Sequence, residues 1–234
     1  MHQCWKGKSG MSEQLIKSKA RVKAHGEVFT PSWMVDKMLN LVQAETDDIY
    51  KTFLEPSAGD GNFLVAILDR KLESIKIQFD KKYWATKSLF ALASIYGIEI
   101  QKDNLHEARG AMLSVFCKFH DGLKSTEALY KAARYIIHEN IAWGDTLKKL
   151  TPDGAEIVFN EWRPVANSST KVERIPFTFS SMFADEEVAY QIPLGYEQLS
   201  LFADEEPEVK DENSVKYKIV DIKNVWKEEL DHGE

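Results

Sequence analysis

Three acidic side chains and two glycines stand where a small ligand could be held. The run Phe53-Leu54-Glu55-Pro56-Ser57-Ala58-Gly59-Asp60-Gly61-Asn62-Phe63-Leu64 reads as a short apolar strand, a tight turn and a helix start. Gly59 and Gly61 permit backbone angles and a close approach that a Cβ would block. A strand, glycine turn and helix in that order point backbone N–H groups and a helix N-terminus at a ligand. Glu55 precedes the turn and Pro56 stiffens it. Further on, Ser94-Ile95-Tyr96-Gly97-Ile98-Glu99-Ile100 reads as a second strand ending in an acid. A carboxylate there can accept both hydrogen bonds of a ribose diol. Ile141-Ala142-Trp143-Gly144-Asp145-Thr146-Leu147 ends in a third acid. Asp145 suits a ligand contact and equally suits an N-cap over residues 146–150.

The elements that position these groups follow from apolar periodicity. Phe63, Leu64, Ala66, Ile67 and Leu68 recur at helical spacing, so residues 62–79 form a helix with Asn62 as its cap. A second helix covers 80–94, where Trp84, Leu89, Phe90 and Leu92 recur. The glycine turn and Glu99 are therefore farther apart than in a minimal nucleotide-binding unit. Asn104–Phe119 is helical, and 123–137 is helical before entering a strand. Upstream, Pro31 suits the first turn of an amphipathic helix carrying Trp33, Met34, Met38, Leu39, Leu41 and Val42. Ala44–Lys51 is a polar connector. Glu156-Ile157-Val158-Phe159-Asn160 is a fourth strand, and Ile175–Phe179 a fifth, with Pro176 favouring an edge. Val215–Ile222 alternates as a strand, and Asn224–Leu230 is a short helix.

The chain has 234 residues, 44% of them hydrophobic, which suits one domain with an appendage. A net charge of −7 argues against a globally basic nucleic-acid binder but leaves room for a local basic face. Cys4 and Cys117 show neither metal-ligand spacing nor a disulfide framework, so the expected compartment is the cytoplasm. No apolar run approaches a membrane span. Residues 1–24 form a basic, partly disordered leader with Lys6, Lys8, Lys17, Lys19, Arg21 and Lys23; it is either solvated or a contact to DNA phosphates. Met11 is an alternative start.

Glu55-Pro56-Ser57-Ala58-Gly59-Asp60-Gly61-Asn62-Phe63-Leu64 resembles the first motif of the S-adenosylmethionine-dependent DNA adenine N6-methyltransferases. Gly26-Glu27-Val28-Phe29-Thr30-Pro31 resembles the motif that precedes it where cofactor motifs come first. Gly97-Ile98-Glu99-Ile100 resembles the second motif, and the run ending in Asp145 the third. The likeness covers roughly residues 20–160. It implies an α/β fold of Rossmann-like, doubly wound type, with a mostly parallel sheet whose second half is shortened. It implies S-adenosylmethionine held by Phe29, Thr30, Pro31, Glu55, Ser57, Gly59, Gly61, Asn62, Glu99, Ile100 and Asp145. Thr30 would touch the methionine part, Glu99 the ribose and Asp145 the adenine amine. The domain would span 25–180.

In that family the fourth strand ends in Asn or Asp followed by two prolines and an aromatic. Adenine's exocyclic amine is a poor nucleophile because its lone pair is conjugated with the ring. An amide oxygen and a proline carbonyl accept its two hydrogens and localise that pair, while the aromatic stacks on the flipped base. Transfer is then mostly positioning. Here the stretch reads Asn160-Glu161-Trp162-Arg163-Pro164. Asn160 would orient the amine and Trp162 would stack, with Glu161 between them. Either this is a variant catalytic loop, or the chain binds cofactor without methylating adenine. The short remainder implies either a specificity or partner subunit for DNA recognition or a short substrate, and the resemblance implies a protein within or derived from a restriction–modification system.

Residues 181–213 read as an acidic linker, and 214–234 as a terminal strand and helix. Within the linker, Gln198-Leu199-Ser200-Leu201-Phe202 resembles the pentapeptide with which bacterial proteins dock on the DNA polymerase sliding clamp. The same residues would also suit a packed apolar turn.

Overall fold

A computed structural model describes residues 15–183 and 217–227. The molecule is α/β. Strands β1 (Phe53–Glu55), β2 (Ile95–Glu99) and β3 (Ile141–Trp143) form a parallel sheet in the order β1-β2-β3. Helix α1 is Lys19–His25, α2 Ser32–Asn40 and α3 Gln43–Asp47. Helices α4 (Asn62–Gln78) and α5 (Trp84–Ala93) connect β1 to β2, and α6 (Lys102–Phe119) and α7 (Ala128–Asn140) connect β2 to β3. All five residues of β2 are buried, as the central strand of a covered parallel sheet requires. Leu64, Leu68, Leu72 and Ile75 line the inner face of α4 at helical spacing and are at most 2% exposed. Each such side chain contributes about 1.5–3 kcal/mol on leaving water. Among the described residues no helix is long and apolar enough to cross a membrane.

The expected cap of α4 is corrected. Gly61, at φ +95°, is the N-cap, and the Asn62 amide instead donates to the Thr30 carbonyl at 3.3 Å. A Cβ on Gly61 would stand 2.8 Å from the Ala108 Cα. The glycine is what lets α4 begin directly against α6.

The expected solvated leader is also corrected over its described part. Residues 15–24 belong to the folded body, with α1 in their midst. Lys17 pairs with Asp103 at 3.1 Å and Glu107 at 2.8 Å, and Arg21 pairs with Glu27 and Asp103. Residues 1–14 lie outside the described residues. The connector 44–51 contains α3.

Strands β4 (Val158–Pro164), β5 (Lys171–Thr178) and β6 (Val220–Asp221) form a second, antiparallel sheet in that order. Here the fourth strand departs from the expected parallel continuation. Residues 144–157 fold into a compact turn, with the Asp145 amide donating to Leu150 at 2.8 Å and the Thr151 amide to Ala155 at 2.8 Å. That turn brings Ile157 against Gly144, at the carboxyl end of β3. From there β4 descends to Trp162, whose indole N–H donates to Asn140 at 2.8 Å, one residue before β3 begins. The direction of β4 therefore opposes that of β3. A parallel return needs a crossover, usually a helix, and none is present in 144–157. Among the described residues the terminal strand expected over 215–222 is confined to Val220–Asp221, and a 3-10 helix, Ile222–Lys227, follows it.

Lys71 of α4 is fully buried. Its ammonium donates to the carbonyls of Asp48 at 2.7 Å and Lys51 at 2.8 Å and lies 5.1 Å from the Phe53 ring centre. This fixes the connector at the start of β1. Burial pushes its pKa down to about 7. The unfolded chain holds the same proton up to the ordinary lysine range, so it binds more protons than the native state above pH 7. Stability is therefore lowest below about pH 7 and rises toward the free-lysine pKa, by up to about 1.4 kcal/mol per pH unit. Urea unfolding from about pH 7 to about pH 9 should show this rise, and Lys71→Met should remove it. An equal rise in the variant would assign it to other groups.

Candidate functional site

The carboxyl ends of three adjacent parallel strands face one way, and such an end is where open α/β sheets take ligands. Glu99 closes β2 and is 5% exposed. Its Oε2 accepts the Gly59 amide at 2.7 Å, and its Oε1 accepts the Gln101 amide at 2.7 Å. The Ala58 amide donates to Ile98 at 2.9 Å. The glycine turn after β1 is thus tied to the end of β2, and the carboxylate lies across its mouth. Gly61 has no side chain to cap α4, and the neighbouring Asp60 carboxylate takes the Asn62 backbone amide instead.

The segment Phe29–Pro31 stands over the turn. The Phe29 ring would meet a Cβ on Gly59 at 3.3 Å, and the Phe29 amide donates to Leu15 at 2.8 Å. Thr30 contributes its carbonyl to Asn62, and Pro31 is the N-cap of α2. Ser57 donates its amide to Glu55 at 3.0 Å. Burial raises the Glu55 pKa against that hydrogen bond. Burial and the neighbouring Glu107 charge raise the Asp60 pKa too. The structure therefore brings Phe29, Thr30, Pro31, Glu55, Ser57, Gly59, Gly61, Asn62, Glu99 and Ile100 into one neighbourhood.

Asp145 lies two residues past the end of β3 and is engaged locally. Its Oδ1 accepts the amides of Leu147 at 3.0 Å and Lys148 at 3.1 Å, and its Oδ2 lies 3.2 Å from the Lys148 ammonium. The Lys148 amide and ammonium hold its carboxyl below the usual range. The carboxylate thus closes a turn over 146–149, and the helix expected over 146–150 is not formed. The next residue, Thr146, donates its hydroxyl to the Pro56 carbonyl and so joins the ends of β3 and β1.

Trp143 was not among the expected site residues. It pairs with Glu99 across β2 and β3, is 38% exposed, and donates its indole N–H to the Ile100 carbonyl at 3.0 Å. Lys102 lies 5.1 Å from its ring centre. An exposed ring beside the Glu99 carboxylate is a flat face on which a planar group could stack. Strand alternation from Asp145 places Trp143 on the Glu99 row, and that was the available signal.

The expected catalytic trio is corrected. Asn160 is buried in the middle of descending β4, paired with Pro176 rather than placed at a strand tip. Its amide N–H donates to Glu139 at 2.9 Å, and its oxygen accepts from Arg174 at 2.8 Å. Its carbonyl accepts the Tyr96 hydroxyl at 2.7 Å. The side chain is 3% exposed and tied to Glu139, in the last turn of α7 before β3, so it does not stand at the carboxyl ends of the strands. Trp162 is buried against Asn140, beside the amino end of β3. Glu161 is exposed and binds Arg163 at 2.9 Å.

A groove of about 840 Å³ runs along α4 between α2, α3 and α6. It reaches the turn only at Asp60, Gly61 and Asn62 and otherwise leads away from the strand ends. Gln198–Phe202 lies outside the described residues. Compared with known proteins, the chain matches no family model, no curated protein and no solved structure.

Proposed function

We propose that this chain binds S-adenosylmethionine at the ends of β1, β2 and β3 and serves N6-methylation of adenine in DNA as the cofactor-holding part of a two-component enzyme. The observation that carries the reading is the Glu99 carboxylate, held by two backbone amides over the glycine turn at the head of α4. The residues fit the ligand's parts: Glu99 for the ribose diol, Trp143 and Ile100 for the base, and Thr30 and the turn for the amino-acid end. A parallel β1-β2-β3 order with helical crossovers is compatible with half of a doubly wound, Rossmann-like sheet. The bound cofactor would supply an activated methyl group on a sulfonium. This chain's residues would bind and orient it, while Phe29 covers the turn from water.

A second component enters because of β4. Asn160, the expected acceptor of the adenine amine, is held in mid-strand by Glu139 and Arg174 rather than at the ends of β1, β2 and β3. A partner subunit would bring that group and DNA recognition, in the cytoplasm. A complete enzyme in one chain, with Asn160 as acceptor, would require β4 to leave Glu139 and Arg174. Titration calorimetry tests the reading. The purified chain should give a saturable isotherm with S-adenosylmethionine and transfer no labelled methyl to DNA by itself. No binding removes the proposal, and full turnover by the isolated chain removes the two-component part.

A further inference from the structure

Helix α6 has two faces of opposite character. Ala111, Ser114, Val115 and Lys118 face the groove along α4, where Asp36, Asp47, Asp60, Asp69 and Glu73 make the lining acidic. At about 100° per residue, Lys102, His106 and Arg109 fall on the other side of the helix. Helix α7 repeats the pattern with Lys131, Arg134 and His138, spaced three and four apart on one face. The two triads meet. The Arg109 guanidinium donates to the His138 carbonyl at 3.1 Å and to the Ile141 carbonyl at 3.0 Å, joining the middle of α6 to the end of α7. The charges of Arg109, Arg134 and His106, after burial, lower the His138 pKa, as adjacent like charges must. Among the described residues, none of the six forms an ion pair with a carboxylate, whereas Lys17 and Arg21 each do.

Two indoles bracket the stripe. Trp143 lies under Lys102 at one end, and Trp226 of the terminal 3-10 helix lies 4.6 Å from the Lys131 ammonium at the other. In a chain of net charge −7, the four cations Lys102, Arg109, Lys131 and Arg134, collected on one side opposite an acidic groove, form a directed field rather than a random scatter.

We infer that the basic face shared by α6 and α7 is a docking surface for the phosphodiester backbone of duplex DNA. Charge complementarity selects a polyanion, and the choice of DNA over RNA rests on the proposed function. The stripe begins beside Trp143, so a duplex lying along it would run next to the strand ends. The acidic groove on the far side of α6 would repel the same duplex and thereby fix its orientation.

Fluorescence anisotropy with a labelled 20-bp DNA duplex tests the inference on the full chain. Each neutralised phosphate contact contributes about 0.9 to the slope of log K against log salt. Lys131→Gln/Arg134→Gln should lower that slope by about 1.8 and weaken binding near 0.1 M salt on the order of 50-fold. Lys76→Gln/Lys87→Gln, outside the stripe, should leave both unchanged. Calorimetry with S-adenosylmethionine on the same proteins separates the two readings. A stripe variant that binds cofactor normally and loses DNA supports the surface, and DNA binding without cofactor binding removes only the proposed function. An unchanged slope in Lys131→Gln/Arg134→Gln overturns the surface, as does a wild-type chain that binds cofactor but no duplex. Tighter binding of an RNA duplex of the same sequence overturns the choice of DNA.

Discussion

Glu99→Ala should weaken S-adenosylmethionine binding by about 100-fold or more in titration calorimetry. The side chain is 5% exposed, so its interactions are little screened by water. A hydrogen bond to a charged group contributes about 1.5–3 kcal/mol, and a ribose diol can donate two. Losing even the lower total of about 3 kcal/mol corresponds to more than about 100-fold in affinity. The same substitution releases the amides of Gly59 and Gln101, which loosens the turn before any ligand arrives. Glu99→Gln keeps one acceptor oxygen of similar shape and should lose less. Urea unfolding of both variants separates a damaged fold from a damaged site. Unchanged affinity in a folded Glu99→Ala protein would place the diol elsewhere.

The second large effect belongs to Arg174. Its Nε donates to Asn160 at 2.8 Å, its two terminal nitrogens donate to the Tyr135 hydroxyl and to Glu139, and its guanidinium lies 4.0 Å from the Tyr217 ring centre. The side chain is 10% exposed and that of Glu139 is 27% exposed. Removing one partner of a buried pair costs about 3–5 kcal/mol, because the other charge is left without compensation. The partial exposure of Glu139 places Arg174→Met near the lower end, about 3 kcal/mol in urea unfolding. Arg174→Met/Glu139→Met should recover much of that loss, since the apolar pair leaves no charge behind. Cofactor affinity should stay the same in both. A fall in affinity at full folding would join the Asn160 network to the ligand site.

These two results divide the chain as its sequence could and could not be read. The strand at 53–55, the turn, the helix from 62 and the strand ending at Glu99 depend on local signals: apolar runs, glycines and helical periodicity. Such signals survive without knowledge of distant neighbours, and the residues they single out in this part do gather at one place. The direction of β4 has no local signature. It depends on Ile157 meeting Gly144, on Tyr96 donating to the Asn160 carbonyl, and on Glu139 and Arg174 closing over the Asn160 amide. An asparagine that ends an apolar strand reads as an exposed tip until those partners are known. The same holds for Lys17 and Arg21, which read as a free basic leader because Asp103 and Glu107 are far along the chain. Asp145 suited a ligand contact and, nearly as well, a helix N-cap; the amides of Leu147 and Lys148 engage it locally, in a turn rather than a helix.

The most direct test is an NMR titration of the 15N-labelled chain with S-adenosylhomocysteine, following the amide resonances of Gly59 and Gln101. Both amides now bond to the Glu99 carboxylate. Occupation of the strand ends must disturb them, so both should shift saturably with one dissociation constant while the Arg174 Nε–H resonance stays in place. Shifts gathered on β4 and β5, with Gly59 and Gln101 unmoved, would contradict binding at the strand ends.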